Sequence, residues 1–437
     1  MKLILSIWWA ALFIKLALTA FIPLSFDEAY YWVWSHNLQL SYFDHPPMVA
    51  WLLWLGHFLE PFGHAVRWPI VIIGHLAILT WTYALKPYLS TERLTWLFFL
   101  LLFSPLIGYG SMIATPDVPV IFFWGLSCYF ALRALKGHRP HDYALLGASL
   151  GLGFCSKYHI VLFALALLIY LTVEKKWSQV SRKGVGLVLL VGFIFSLPVI
   201  IWNIQNDFVS FRFQMNHGFG REKWDPLWTI SYPLGQLICL FPTTVYIAFR
   251  AKVQGELRLL LYLAWFPIAF FFISSFRGVV EINWPVVGHF GVYTLAALAA
   301  ISWKNIHLSV WFWVVAGLVA LTHVAVPWFP MASDKLNEPR YFQPIYQLEK
   351  KYSPLYASTY QMASALWYAN KKPTYKLWGM SRHDFFDELQ KTPPSESRFY
   401  LVKQNFSPIP DWIINQKYRV VKKEDVPPIF EVFEVSK

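Results

Sequence analysis

The sequence predicts an all-α polytopic membrane protein of about eleven transmembrane helices, with interfacial helices in its outer loops and a small C-terminal soluble domain of α/β type. Three observations carry this. Of the 437 residues, 57% are hydrophobic and only 14% charged, with a mean hydropathy of +0.42, fractions that exclude an ordinary water-soluble domain. Aromatic residues reach 19%, with 23 Trp, which suits many interface crossings, because the rings are apolar while their N–H or O–H needs a polar partner. After Pro330 the composition turns abruptly polar for about a hundred residues, enough for a small domain.

Apolar windows of about 19 residues fall near 3–24, 66–86, 94–113, 116–135, 143–157, 158–173, 184–203, 228–249, 257–276, 284–302 and 308–328. The first, behind Met1-Lys2, is long enough to span and is expected as an uncleaved helix rather than a signal peptide. The pair at 143–173 is tight, each member at the short end. Cys128, Cys155 and Cys239 lie inside apolar stretches without metal-ligand spacing and are expected as small core residues.

The connecting segments sort into two sets by charge. Lys2, Lys86, Arg93, the basic residues of 133–139, 175–183 and 250–258, and Lys304 share one face, which the positive-inside rule makes cytoplasmic, with the N-terminus. The net charge of +12 thus serves topology, and nucleic acid is not an expected partner. The other face, expected to be periplasmic, receives 25–65, 114–117, 156–159, 204–227, 277–283 and everything after 329. Residues 25–65 contain Tyr30-Tyr31-Trp32-Val33-Trp34 and the short apolar run Met48–Leu59, which suit amphipathic helices in the interface. The expected domains are 1–330 in the membrane and 331–437 outside it. In the latter, Arg398–Val402 and Ile429–Val435 alternate as strands do.

The outer face carries all the unusual polar motifs. Ser25-Phe26-Asp27-Glu28 places two adjacent carboxylates at the lipid boundary; in a helix they point about 100° apart, so only one can face a reacting atom. Asp27 can act as a base or cap the following helix. Tyr42-Phe43-Asp44-His45-Pro46-Pro47 holds a carboxylate and an imidazole on a stiff backbone, a polar or metal-binding pair or a helix-start turn. Asp117, in Ala114-Thr115-Pro116-Asp117, stands where a helix dipole favours an anion, with Thr115 as a possible cap. Lys157, in Ser156-Lys157-Tyr158-His159, can meet a phosphate or snorkel to headgroups. Arg212, Asn216, His217, Arg221 and Lys223 form a basic cluster where the positive-inside rule disfavours one, which calls for an anionic partner. Arg277, Glu281 and Asn283 fill the last outer turn, the first two being i, i+4 neighbours if it is helical.

That all six motifs share one side points to one active site. It holds carboxylates for proton abstraction, cations for a phosphate and aromatic walls for a lipid tail.

These segments resemble the bacterial branch of the GT-C glycosyltransferases, which include protein O-mannosyltransferases and the aminoarabinose transferases that modify lipid A. The resemblance rests on Asp27-Glu28-Ala29-Tyr30-Tyr31-Trp32, Tyr42 to Met48, Ala114 to Asp117, Ser156-Lys157-Tyr158, Trp202-Asn203 with Asp207 to Gln214, and Glu281 to Pro285. It covers roughly residues 1–330 in order and spacing, and nothing after 330. It implies an inverting transfer from a polyprenyl-phosphate sugar to an envelope acceptor, lipid A or a protein, on the periplasmic face of the inner membrane. The base maps onto Asp27, with Glu28 beside it. Asp44 and His45 would help hold acceptor or a possible divalent metal, and Asp117 would shape the site. Lys157, Arg212, His217, Arg221 and Arg277 would face the donor phosphate, while Tyr158, Glu281 and Asn283 complete the expected substrate-binding set. A lipid-linked sugar flippase is the rival, but it should show broken helices or pseudo-symmetric halves near the midplane, whereas only Lys15 lies clearly inside a span.

Overall fold

The computed structural model describes residues 1–220, 224–328 and 338–437. In chain order the helices are α1 (Lys2–Phe21), α2 (Phe26–Ser35), α3 (Met48–Leu55), α4 (Trp68–Leu85), α5 (Thr91–Phe103), α6 (Asp117–Gly137), α7 (Pro140–Phe154), α8 (Val161–Val173), α9 (Arg182–Gln205), α10 (Val209–Phe219), α11 (Pro226–Leu240), α12 (Pro242–Phe249), α13 (Leu259–Ser274), α14 (Val286–Ala299) and α15 (His307–Ala325). The C-terminal region adds α16 (Glu338–Tyr341), α17 (Leu348–Lys351), β1 (Leu355–Ala357), α18 (Tyr360–Asn370), β2 (Tyr375–Lys376), α19 (Phe385–Leu389), β3 (Arg398–Gln404), α20 (Asp411–Asn415), β4 (Arg419–Val426) and β5 (Phe430–Ser436).

Two compact units result, Met1–Phe21 with Gln39–Val319, and Ile22–Leu38 with Ala320–Lys437. This differs from the division by composition chiefly in Ile22–Leu38, which clusters with the C-terminal residues.

Every expected apolar window falls on helix, but the count of about eleven spans is not reached by length and composition. Among the described residues six helices are long and apolar enough to cross a membrane, or up to eight if each of two bent pairs is one span. The 15 residues of α7, the 14 of α14 and the apolar helix Tyr158–Val173 fall short. The bent pairs break at proline. Thr91–Phe103 turns by 62° into Pro105–Met112, and Pro226–Leu240 by 91° into Pro242–Phe249, because proline has no N–H to continue the ladder and crowds the preceding turn.

The first break explains a cation buried within a span. Lys15, buried in α1, donates from Nζ to the Gly108 carbonyl at 2.6 Å and to Ser111 Oγ at 2.9 Å, both just past the bend. Backbone groups freed by a bend in an apolar surrounding must find partners inside the protein, and Lys15 supplies one. Elsewhere the helices approach on small residues: a Cβ on Gly151 of α7 would lie 2.6 Å from the Gly192 carbonyl of α9, and one on Gly147 2.6 Å from that of Val188. This backbone-to-backbone packing is how helices associate where lipid leaves no hydrophobic drive between them. The opposite side of α9 exposes Leu189, Leu190, Phe193 and Ile194, a surface suited to lipid chains.

The second unit is built on a five-stranded mixed sheet of order β2-β1-β3-β5-β4. β1 is parallel to β2 and β3, while β5 lies antiparallel to β3 and β4. The two alternating stretches singled out in the sequence form the adjacent pair β3 and β5, with Phe399 opposite Val435 and Leu401 opposite Phe433. Helix α2 belongs here: Phe26 stacks on Phe342 at 4.1 Å and Tyr30 meets Tyr360 at 4.5 Å between ring centroids. Lys376, at the end of β2, is buried with Asp384 at 2.7 Å and Asp387 at 2.6 Å. Burial lifts the Asp384 carboxyl from 3.8 to about 6, against the opposing pull of Lys376.

Gly151→Leu should destabilise the first unit by about 1–3 kcal/mol through overpacking, whereas Gly186→Ala, with open space around its Cβ, should not; heating the detergent-solubilised protein before size-exclusion chromatography compares them. Lys376→Met leaves two buried carboxylates without their cation and should cost about 3–5 kcal/mol at pH 8. An acid whose folded pKa stands above its unfolded value costs stability only where the unfolded chain ionises it, so the loss should shrink as pH falls from about 6 toward 4. Urea-dependent proteolysis of 338–437 within the full chain reads this, and equal losses at both pH values would contradict it.

Candidate active site

In the first unit, three motifs far apart in sequence meet at Asp117. Pro116 sets the start of α6, and no side chain caps it, so the cap expected of Thr115 is not formed; Asp117 lies in the first turn, where the helix dipole favours an anion. Its Oδ1 accepts from Lys157 Nζ at 2.8 Å and its Oδ2 from Asn283 Nδ2 at 2.7 Å. Lys157 is held extended between α7 and the turn Tyr158–Ile160, and Asn283 sits in the connection before α14. With both oxygens occupied, Asp117 organises the cluster rather than abstracting a proton.

Lys157 is only 5% exposed. An ammonium carries three N–H donors, and the one spent on Asp117 is its only hydrogen bond among the described residues. A buried cation with donors in reserve is costly unless further acceptors arrive, which is what an anionic ligand provides.

Neighbouring segments converge on the same turn. The backbone N–H of Met48 donates to the Cys155 carbonyl at 2.9 Å, Pro46 and Pro47 before it having none to give. The Asp44 backbone carbonyl accepts from Gln214 Nε2 of α10, and Phe43 packs on Phe213 at 4.7 Å. Tyr158 shares a hydrogen bond with Ser210 at 2.9 Å, and Trp202 Nε1 donates to Gln39 Oε1 at 2.8 Å. Thus the Asp44-His45 loop, the Lys157-Tyr158 turn and α10 form one polar and aromatic cluster. Asp44 is buried, and among the described residues no third His, Cys, Asp or Glu ligand atom closes a metal set with it and His45.

Other expected residues are placed differently. Arg212 is exposed and its guanidinium turns to the Asp207 backbone carbonyl. Arg277 and Glu281 are both exposed; helix α13 ends at Ser274, so the i, i+4 geometry is not formed, and no ion pair joins them among the described residues. Arg221 and the side chain of His217 lie outside the described residues. Asp27 and Glu28 belong to the second unit, in α2. There Ser25, not Asp27, is the cap: Ser25 Oγ accepts from the Glu28 N–H at 3.3 Å, and Glu28 Oε2 accepts from the Ser25 N–H at 2.9 Å, a capping box. Glu28 is buried, while Asp27 is exposed.

Two residues escaped the sequence reading. His159 packs between Phe271 at 4.9 Å and Trp284 at 6.0 Å, its buried Nδ1 without a hydrogen-bond partner among the described residues. Gln236 of α11 donates from Nε2 to the Ile282 carbonyl at 3.0 Å and accepts at Oε1 from His289 Nε2 at 2.8 Å, steadying the turn that presents Asn283. Adjacency to Lys157 was the only sequence signal for His159; Gln236 lies in an apolar run and gave none.

A polytopic helical body with a C-terminal mixed-sheet unit is the architecture of ArnT-type membrane proteins. The chain matches the crystal structure of ArnT from Cupriavidus metallidurans bound to undecaprenyl phosphate with a TM-score of 0.67, over 99% of this chain and 97% of that one. At 13% identity the likeness establishes the fold. Over residues 44–202 the chain matches the family described as dolichyl-phosphate-mannose-protein mannosyltransferase. Its relatives include the lipid A galacturonosyltransferase RgtD of Rhizobium johnstonii, 25% identical over 70% of this chain and 66% of that protein. The undecaprenyl phosphate-α-4-amino-4-deoxy-L-arabinose arabinosyl transferase of Pseudomonas paraeruginosa is 28% identical over 61% and 55%. The chain thus spans between about half and two thirds of these relatives' length.

Asp117→Asn and Lys157→Met should each destabilise the first unit by about 3–5 kcal/mol, each leaving a buried partner unbalanced. The double variant should cost less than the sum, by at least about 1 kcal/mol in a thermal-unfolding double-mutant cycle. Simple additivity would mean that the pair is not coupled.

Proposed function

We propose that this protein transfers a sugar from a polyprenyl-phosphate donor of the undecaprenyl type to lipid A or a related cell-surface glycan, at the periplasmic face of the bacterial inner membrane. The observation that carries this reading is Lys157, a buried ammonium oriented by Asp117 and Asn283 with donors left for an anion. The names of the relatives point to the same donor and acceptor classes. The positive-inside distribution supports a cytoplasmic N-terminus and outward-facing motifs, and the finer topology of about eleven spans, with the shorter helices counted, belongs to this proposal.

The reaction needs one base. Asp27 takes the proton of the acceptor hydroxyl, the acceptor oxygen bonds to the anomeric carbon with inversion, and the bond from that carbon to the phosphate oxygen breaks. The leaving polyprenyl phosphate is already anionic, so it is stabilised by cations rather than by a general acid. Lys157 is the foremost such cation. Glu28 is buried in the capping box of α2, and the base role goes to its exposed neighbour Asp27. No step requires a metal.

The family's name also admits a protein hydroxyl as acceptor. Purified protein should be given undecaprenyl phosphate-α-4-amino-4-deoxy-L-arabinose, or its galacturonate and mannose counterparts, with lipid A or with periplasmic protein. Transfer to lipid A should fall by about 10²–10⁴-fold in Asp27→Asn. Transfer to protein alone would replace the acceptor, and wild-type rates in Asp27→Asn would remove the proposed base.

A further inference from the structure

The C-terminal unit contains a clamp on the helix that bears Asp27. The first-turn N–H groups of a helix have no partner within the helix, and at α19 the first two are met by side chains. Asp384 Oδ1 accepts from the Phe386 N–H at 2.9 Å, and the Phe385 N–H donates to the hydroxyl of Tyr30, in α2, at 2.8 Å. Tyr30 is 2% exposed, enclosed by Tyr360, Phe386 and its own-helix neighbour Trp34. The α19 end is itself rigidly held, because Lys376 Nζ binds Asp384, Asp387 and the Arg382 carbonyl together. A second contact grips α2 two residues along: Lys371 Nζ lies 4.5 Å from the Trp32 ring centroid and 3.9 Å from that of Tyr368, within cation–π range of both.

We infer that the C-terminal unit is a positioning element for catalysis, with Tyr30 and Lys371 as positioning residues that set the orientation of α2 and hence of Asp27. The inference rests on the proposed role of Asp27. Tyr30 precedes the clamp's outer contact and follows Asp27 by three residues, less than one helical turn, so a tilt of α2 about its clamp moves the Asp27 carboxylate. A purely structural role for this unit would require neither a buried acceptor from α2 at the α19 terminus nor a cation laid over α2's own ring.

The test uses the full chain with undecaprenyl phosphate-α-4-amino-4-deoxy-L-arabinose and lipid A. Tyr30→Phe removes one hydroxyl and leaves the Phe385 N–H buried without its acceptor. Amide exchange in residues 26–35 should quicken about tenfold, with no change in the first unit. The kcat should fall roughly ten- to hundredfold while KM for the donor stays within about twofold, the signature of lost alignment in the transition state. Lys371→Gln, a surface change that spares the fold, should shift both readouts in the same direction. Unchanged exchange in both variants would overturn the clamp. Faster exchange with wild-type kcat, in protein whose Asp27→Asn variant is inactive, would overturn positioning. Wild-type transfer by Asp27→Asn would instead refute the base itself and with it the catalytic half of this inference, leaving exchange to judge the clamp.

Discussion

A buried ammonium must be surrounded by acceptors, and the first unit is arranged around that constraint at Lys157. The side chain belongs to a turn between two apolar helices, a place where a cation is expensive. Asp117 arrives from the start of α6 to meet it, and Asn283, in the connection before α14, holds the other oxygen of Asp117. Once those two contacts are made, the helices carrying them have little freedom to slide, and the adjoining Asp44-His45 loop and α10 are drawn to the same turn through Met48, Gln214 and Ser210. The pair is incomplete as a structural device, since one carboxylate oxygen takes up only one of three ammonium donors. A site designed for stability alone would satisfy the cation fully or omit it, because well-packed apolar residues are often as stabilising as a buried ion pair.

Lys15 offers the contrast within the same unit. It too is a buried cation, but it spends two donors on groups released by the bend after Phe103 and so has a sufficient structural reason to exist. The bend itself follows from Pro105. Intramembrane charge is thus accounted for by backbone satisfaction in one case and by an expected anionic ligand in the other, and counting remaining donors separates the two.

In the second unit a polar cluster ties α2 to the C-terminal residues. Lys376 with Asp384 and Asp387 secures the beginning of a five-residue helix, whose first N–H donates to Tyr30. Segment 22–38 is therefore built into the C-terminal unit although about three hundred residues of chain separate them.

The class of protein was legible in the sequence because lipid imposes a one-dimensional rule: about twenty apolar residues per crossing, and basic residues gathered in alternate loops. Likewise β3 and β5 were visible because period-two alternation is a local property of a strand with one buried face. The span count was not, since a helix's length depends on where it breaks and bends, as at Pro105 and Pro242. Among site residues, Asp44, Asp117, Lys157, Tyr158 and Asn283 stood out as polar breaks in apolar runs, but composition ranked Arg212, Arg277 and Glu281 with them, and only packing separates an exposed charge from a buried one. His159 and Gln236 acquire their interest solely from neighbours brought close in space. The sequence by itself determined a polytopic membrane protein, because hydropathy and charge act residue by residue. Tertiary structure alone decided that Asp117 joins Lys157 to Asn283 and that the helix of Asp27 packs with the C-terminal sheet, because hydrogen bonds between segments far apart in sequence leave no periodic trace in either one.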